Sequence, residues 1–194
     1  MKPITVVTSK AVPLPLNDVD TDMIIPAQFL TSVSKDGYGE NLFRRLKEED
    51  STFPTNDPKY KGAQIFIGGK NFGCGSSREH AVWAFVGAGF RVVIAKSFAD
   101  IFYSNGAKNG LLLITLPEPV VDALLENAKS GNYEITADLK AKTVTLPNGE
   151  VHSFSFDPFR QHCLLEGLDD FDYILAAKKE IEDYRVSVEE KGFV

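Results

Sequence analysis

Between residues 63 and 116 the chain alternates short apolar runs with glycine-bounded amphipathic stretches. Ile65-Phe66-Ile67 is closed by Gly68-Gly69. A loop follows, then Ala81-Val82-Trp83-Ala84-Phe85-Val86, then Gly87, Gly89 and a second apolar run, Val92-Val93-Ile94-Ala95. Ser97-Phe98-Ala99-Asp100 opens another helical stretch, with Ser97 as its expected cap, and residues 111–116 are again continuously apolar. Short apolar runs between glycines read as strands buried on both faces. Strands that alternate with helices require a parallel sheet with crossover connections. The reading is therefore an α/β chain with strands at 63–68, 91–95 and 111–116, and with a helix over 78–87.

The flanks add to that core. Residues 4–7 and 12–16 read as short extended pieces parted by Pro13 and Pro15. Residues 31–62 are polar and hold Gly37, Gly39, Pro54 and Pro58, which predicts a long surface loop with a short helix near 40–48. An amphipathic helix over 119–129 ends before Gly131, and 133–139 and 142–146 alternate like strands. Asn148-Gly149 leading into 151–156 is a hairpin signal. Helices at 158–166 and 168–184 complete a single domain of 194 residues.

Charge and cysteine usage exclude several classes. The net charge is −6 and no basic stripe is present, which argues against nucleic acid. No apolar run approaches membrane-spanning length, and Met1-Lys2-Pro3-Ile4-Thr5 lacks the apolar core of a secretory signal. Cys74 and Cys163 stand far apart, as reduced thiols of a cytoplasmic chain would. Two distant thiols cannot supply a four-thiolate iron–sulfur site or a paired zinc site. His80, His152 and His162 are scattered, and the acids of Asp18, Asp20 and Asp22 lack the glycine and glutamate of a calcium loop. No metal is expected on this chain.

The richest stretch is Asn71-Phe72-Gly73-Cys74-Gly75-Ser76-Ser77-Arg78-Glu79-His80. Ser76-Ser77-Arg78-Glu79 has the form of a capping box, so Ser76 is expected to cap the helix. Ordinary capping explains Ser76 and Glu79 but does not require Gly73 and Gly75. Those glycines let a backbone approach a ligand or take positive φ. Two hydroxyls and a guanidinium at a helix start make an anion pocket, and Arg78 can grip a carboxylate with two parallel hydrogen bonds. A dinucleotide fingerprint fails at Arg78, where a third glycine is needed, and a Walker loop fails at Gln64 and Asn71. A nucleophile elbow fails around both serines.

Three ordered motifs then carry a resemblance. They are Asp20-Thr21-Asp22-Met23-Ile24-Ile25-Pro26, Asn71 through Ala81, and Ser97-Phe98-Ala99-Asp100-Ile101-Phe102-Tyr103. Together with Leu164-Leu165-Glu166-Gly167-Leu168-Asp169-Asp170 they resemble the small subunits of 3-isopropylmalate dehydratases, separate-chain equivalents of the mobile C-terminal domain of aconitases. The likeness spans essentially the whole chain. It implies a swivelling β/β/α domain with a mostly parallel core sheet flanked by helices, docked on a large catalytic subunit that carries a [4Fe–4S] cluster. The implied reaction interconverts 2-isopropylmalate and 3-isopropylmalate, small dicarboxylates, by dehydration and rehydration in leucine biosynthesis.

The same resemblance assigns residues. Ser76 matches the catalytic base, Arg78 a ligand of a substrate carboxylate, and Ser77 a neighbouring substrate contact. Thr21 and Asp22 match a pair at the pocket edge, and Ile25 replaces a serine of aconitases. Aconitases carry an arginine soon after this motif for an extra carboxylate. Here Phe29-Leu30-Thr31-Ser32-Val33-Ser34 has none, so Phe29 and Leu30 are expected to face an isopropyl group, with burial in the core as the alternative. Leu113, where many relatives have proline, has no functional explanation. The competing readings are a related hydro-lyase acting on citramalate or homocitrate, a serine hydrolase using Ser76 or Ser77, and a non-catalytic dicarboxylate-binding module.

Overall fold

Seven strands form one sheet in the order β4-β3-β2-β1-β5-β6-β7 in the computed structural model, which describes residues 1–30 and 35–190. Strands β1 (Val6–Pro13), β2 (Ile65–Ile67), β3 (Val92–Ala95) and β4 (Leu112–Thr115) pair in parallel. The apolar runs form this parallel core as expected. On the other side of β1, β5 (Glu134–Asp138), β6 (Thr143–Thr145) and β7 (Val151–Ser153) pair antiparallel, with the predicted turn at Asn148-Gly149 joining the last two. The two extended pieces expected around Pro13 are instead one strand. Val6 to Lys10 pair with β5 and Ala11 to Pro13 with β2, and Pro13 ends the strand.

Alternation along the central strands divides their side chains between two cores. Ile65, Ile67, Val92, Ile94, Leu112 and Ile114 face one side. There Val121, Leu124, Leu125 and Ala128 of α5 (Glu118–Ala128) cover them, with Leu164 of α6 (Pro158–Glu166). Phe66, Val93 and Leu113 face the other side, against Val82 and Phe85 of α3 (Glu79–Gly87) and Phe102 of α4 (Asp100–Lys108). Leu113 is thereby a core residue, 1% exposed.

Two segments depart from the sequence reading. The part of the 31–62 stretch that is described, residues 35–62, is folded into short helical turns around α2 (Arg44–Glu49) and contributes Tyr38, Leu42, Phe43, Phe53 and Tyr60 to the second core. Phe43 takes a left-handed backbone (φ 53°) just before α2, which turns its ring inward onto Phe66 and Phe85. A few aromatics among polar residues hide such burial from a compositional reading. The single helix expected over 168–184 is two helices, α7 (Asp170–Ala176) and α8 (Lys178–Glu190). Ala177 breaks them, because its N–H donates to Ile174 and Leu175 carbonyls and tightens the last turn.

Candidate active site

The loop after β2 is built on one aromatic anchor. Phe72 is fully buried among Phe66, Phe85, Phe98 and Phe102. Its N–H donates to Ser97 O (3.0 Å) and its carbonyl accepts from Ala99 N (3.0 Å). Gly73 follows at φ +79°, and a Cβ there would stand 2.2 Å from Phe102 Cγ. No side chain fits, so the glycine is required by both conformation and contact. Gly75 also has positive φ (+89°), but a Cβ there would meet nothing nearer than 3.4 Å.

The same loop is zipped to the acidic segment more than fifty residues earlier. Gly73 N donates to Val19 O (2.7 Å), and Thr21 N donates to Cys74 O (2.8 Å). The buried Thr21 hydroxyl donates to Ser76 O (3.1 Å). Asp20 accepts from Met23 N (2.7 Å) and so caps α1 (Thr21–Ile24), which faces Asp22 toward the loop. Arg78 Nη1 donates to Asp22 Oδ1 at 2.6 Å and to Ile25 O at 3.3 Å. The Arg78 bond is the main cause that holds the Asp22 carboxyl below its ordinary value.

Two predicted caps are not caps. Helix α3 begins at Glu79 with Arg78 as its N-cap in extended geometry (φ −90°, ψ 105°), and no side chain caps it. Arg78 N donates instead to Ser76 O (2.7 Å), a tight turn that delays the helix by two residues. Ser76 therefore lies in the loop, where it and Ser77 are exposed. Ser97 likewise stands before Ala99, the N-cap of α4, and its hydroxyl accepts from Asn71 N (2.8 Å) to brace the loop.

The structure thus brings Thr21, Asp22, Ser76, Ser77 and Arg78 to one place. Phe29 is half-buried and lines a cavity of about 260 Å³ with Asp22, Pro26, Gln28, Arg45 and Glu48. Leu30 packs against the second core beside it. The remainder of the Phe29–Ser34 stretch, residues 31–34, lies outside the described residues. A larger cavity of about 740 Å³, lined by Leu42, Tyr60 and Phe90, contains none of the predicted residues. Ser76 and Ser77 instead stand exposed at the surface.

Sequence reasoning missed Arg45, whose Nη1 lies 3.8 Å from Asp22 Oδ2, and the capping role of Asp20. The residue type carried a signal for the cap, since Asp is a favoured N-cap; nothing local marked Arg45. Among the described residues no cluster of three or more His, Cys, Asp or Glu side chains could hold a metal ion, and no helix is long and apolar enough to cross a membrane.

A parallel core extended by an antiparallel ribbon, with a serine–arginine loop tied to an acidic turn, defines a class: the aconitase C-terminal domain, whose family model matches residues 1–119. A second family model, described as LeuD_N, matches residues 122–158. A 3-isopropylmalate dehydratase small subunit from Paracoccus denitrificans is 47% identical over 194 residues, covering 97% of this chain and 96% of that one. One from Francisella philomiragia is 55% identical over 168 residues, 87% of this chain and 88% of that one. The crystal structure of a 3-isopropylmalate dehydratase from Methanocaldococcus jannaschii superposes with a TM-score of 0.69 at 28% identity, covering 93% of this chain and 99% of that one. The chain belongs to the family of 3-isopropylmalate dehydratase small subunits.

Proposed function

We propose that this chain works with a large subunit to interconvert 2-isopropylmalate and 3-isopropylmalate, a step of leucine biosynthesis, by removing and re-adding water. Membership of the family supports the reaction. The observation that carries the site assignment is the meeting of two distant motifs, in which Thr21 and Asp22 hold the Ser76–Arg78 loop by direct hydrogen bonds.

In this reading Arg78 binds a substrate carboxylate. Asp22 keeps its guanidinium extended and in place, and the donors not turned toward Asp22 and Ile25 remain for an anion. Ser76 Oγ takes the proton from the carbon next to a carboxylate. That carbon acid is weak, so the serine must act through its alkoxide, which needs a positive field. Arg78 two residues on and the N-terminus of α3 supply it. Ser77 contacts the substrate from the same loop, and Thr21 fixes the backbone of Ser76. Phe29 and Leu30 face the isopropyl group, whose burial against them disfavours a charged substituent.

The [4Fe–4S] cluster belongs on the large subunit in this proposal. Cys163 is buried and Cys74 half-buried, and among the described residues neither belongs to a group of three or more His, Cys, Asp or Glu side chains that could hold a metal ion. The two free thiols fit a reducing, cytoplasmic compartment. The domain is proposed to swivel on its partner so that the open serine face closes on bound substrate. Reconstitution tests the division of labour: the purified chain alone should be iron-free and inactive, and anaerobic mixing with the large subunit should produce isopropylmalate interconversion. Turnover by the isolated, metal-free chain would refute the two-chain reading.

A further inference from the structure

Helix α3 presents Arg78 at its start, yet no side chain caps it. Asn109 bonds to it from the side. This residue follows the last turn of α4, and its carboxamide uses all of its hydrogen-bonding capacity. Nδ2 donates to Glu79 Oε1 at 2.7 Å and to Asn105 O at 2.9 Å. Oδ1 accepts from Trp83 Nε1 at 2.9 Å and from Lys35 Nζ at 3.1 Å.

The partners fall on meaningful places. Glu79 and Trp83 are one turn apart on α3 and so share a face. Glu79 is the residue directly after Arg78. Lys35 also lies over the Trp83 ring, 5.4 Å from its centroid, and the buried Tyr38 packs on both His80 (5.3 Å) and Trp83 (5.7 Å). Ring packing holds α3 against the 35–38 segment but tolerates rotation and sliding. A carboxamide bonded at two points one turn apart does not, because either motion breaks a directed bond.

We propose that Asn109 is a positioning residue for the reaction: by clamping Glu79 and Trp83 it fixes the azimuth and height of the first turn of α3, and with it the direction in which Arg78 reaches the substrate carboxylate. This rests on the reading of Arg78 given above. A bond to the charged Glu79 in a half-buried place is among the stronger kinds, and losing it loosens the turn that carries Arg78. The consequence falls on substrate binding more than on the proton transfer at Ser76: a misdirected fork loses its paired bonds to the carboxylate, whereas the field at Ser76 depends on charge and distance, which a loosened turn largely keeps, and Thr21 still holds the Ser76 backbone.

The test is a double-mutant cycle in the assembled two-chain enzyme, with Asn109→Leu, Arg78→Lys and the pair. Asn109→Leu alone should raise KM for isopropylmalate about tenfold or more while kcat falls much less. In the Arg78→Lys background the same change should add less than about twofold, since the group it positions is already compromised. Full multiplicativity of the two effects would overturn the proposal and leave the role of Arg78 standing. An unchanged KM in Arg78→Lys would overturn the role of Arg78, and that of Asn109 with it. Should Asn109→Leu fail to assemble, Asn109→Asp serves, since it faces Glu79 with a second carboxylate and should raise KM. Adding Glu79→Gln supplies an amide donor at position 79 and should bring KM part of the way back, by about threefold or more, the bond to Asn105 O staying lost. No recovery in a well-assembled enzyme would overturn the clamp.

Discussion

Replacing Gly73 by alanine should be far more damaging than the same change two residues later at Gly75. Both glycines have positive φ, +79° and +89°, so both substitutions incur the left-handed penalty of about 1–2 kcal/mol. Only at Gly73 does the new methyl collide, 2.2 Å from Phe102 Cγ and 2.6 Å from its Cβ. Phe102 is 2% exposed and hemmed in by Phe72, Phe85 and Phe98 at centroid distances of 5.8, 6.3 and 6.4 Å. It cannot retreat without disturbing the ring cluster that anchors the loop, and overpacking of that kind costs about 1–3 kcal/mol more. Gly73→Ala should therefore cost about 2–5 kcal/mol and Gly75→Ala about 1–2 kcal/mol. In a chain of this size that corresponds to a fall in Tm of about 4–20 °C for the first. Loss of glycine's freedom in the unfolded chain offsets both equally, so the difference isolates the collision. Urea titrations of the two variants and wild type read it directly. A Gly73→Ala cost within about 0.5 kcal/mol of that for Gly75→Ala would refute the claim that Phe102 sets the loop's course.

Two further outcomes follow from the site. The Asp22 carboxyl is held below its unfolded value of 3.8 by Arg78, so the stabilisation is complete above that value and disappears as pH falls through the lower folded one. Because Asp22 is half exposed the gain is small, and Asp22→Asn should lower the urea midpoint slightly at pH 7 and progressively less as pH falls below 3.8; a loss that does not shrink with falling pH would exclude the ion pair as the cause. Phe29→Ala should raise KM for isopropylmalate about fivefold, the equivalent of about 1 kcal/mol of apolar contact, with kcat nearly retained. A loss of stability with unchanged KM would instead make Phe29 a core residue only.

The parallel core was legible because β2, β3 and all of β4 but its exposed last residue, Thr115, are buried on both faces and so read as apolar runs. The hairpin was legible because Asn148-Gly149 is a local turn signal. What local reading could not supply is contact across distance. Ser76 and Ser97 both satisfy capping spacing, yet each is held elsewhere, Ser76 by Thr21 and its own tight turn, Ser97 by Asn71. The burial of Tyr38, Phe43 and Phe53 escaped notice since isolated aromatics in a polar stretch have no period. Ser76, Arg78, Thr21 and Asp22 were picked out through the motifs, and hydrogen bonds join Thr21 to Ser76 and Asp22 to Arg78. The clamp at Asn109 gathers residues from three separate stretches of chain and left no mark in any one of them.

The role of Ser76 is tested most directly by kcat of Ser76→Ala in the assembled two-chain enzyme with normal iron content. Ser76 is exposed and does not cap α3, so the substitution should change stability by less than about 0.5 kcal/mol, and activity alone decides. If Ser76 Oγ takes the substrate proton, kcat should fall by at least about a hundredfold while the two chains still associate. A kcat within a few-fold of wild type would contradict the assignment of Ser76 as the base.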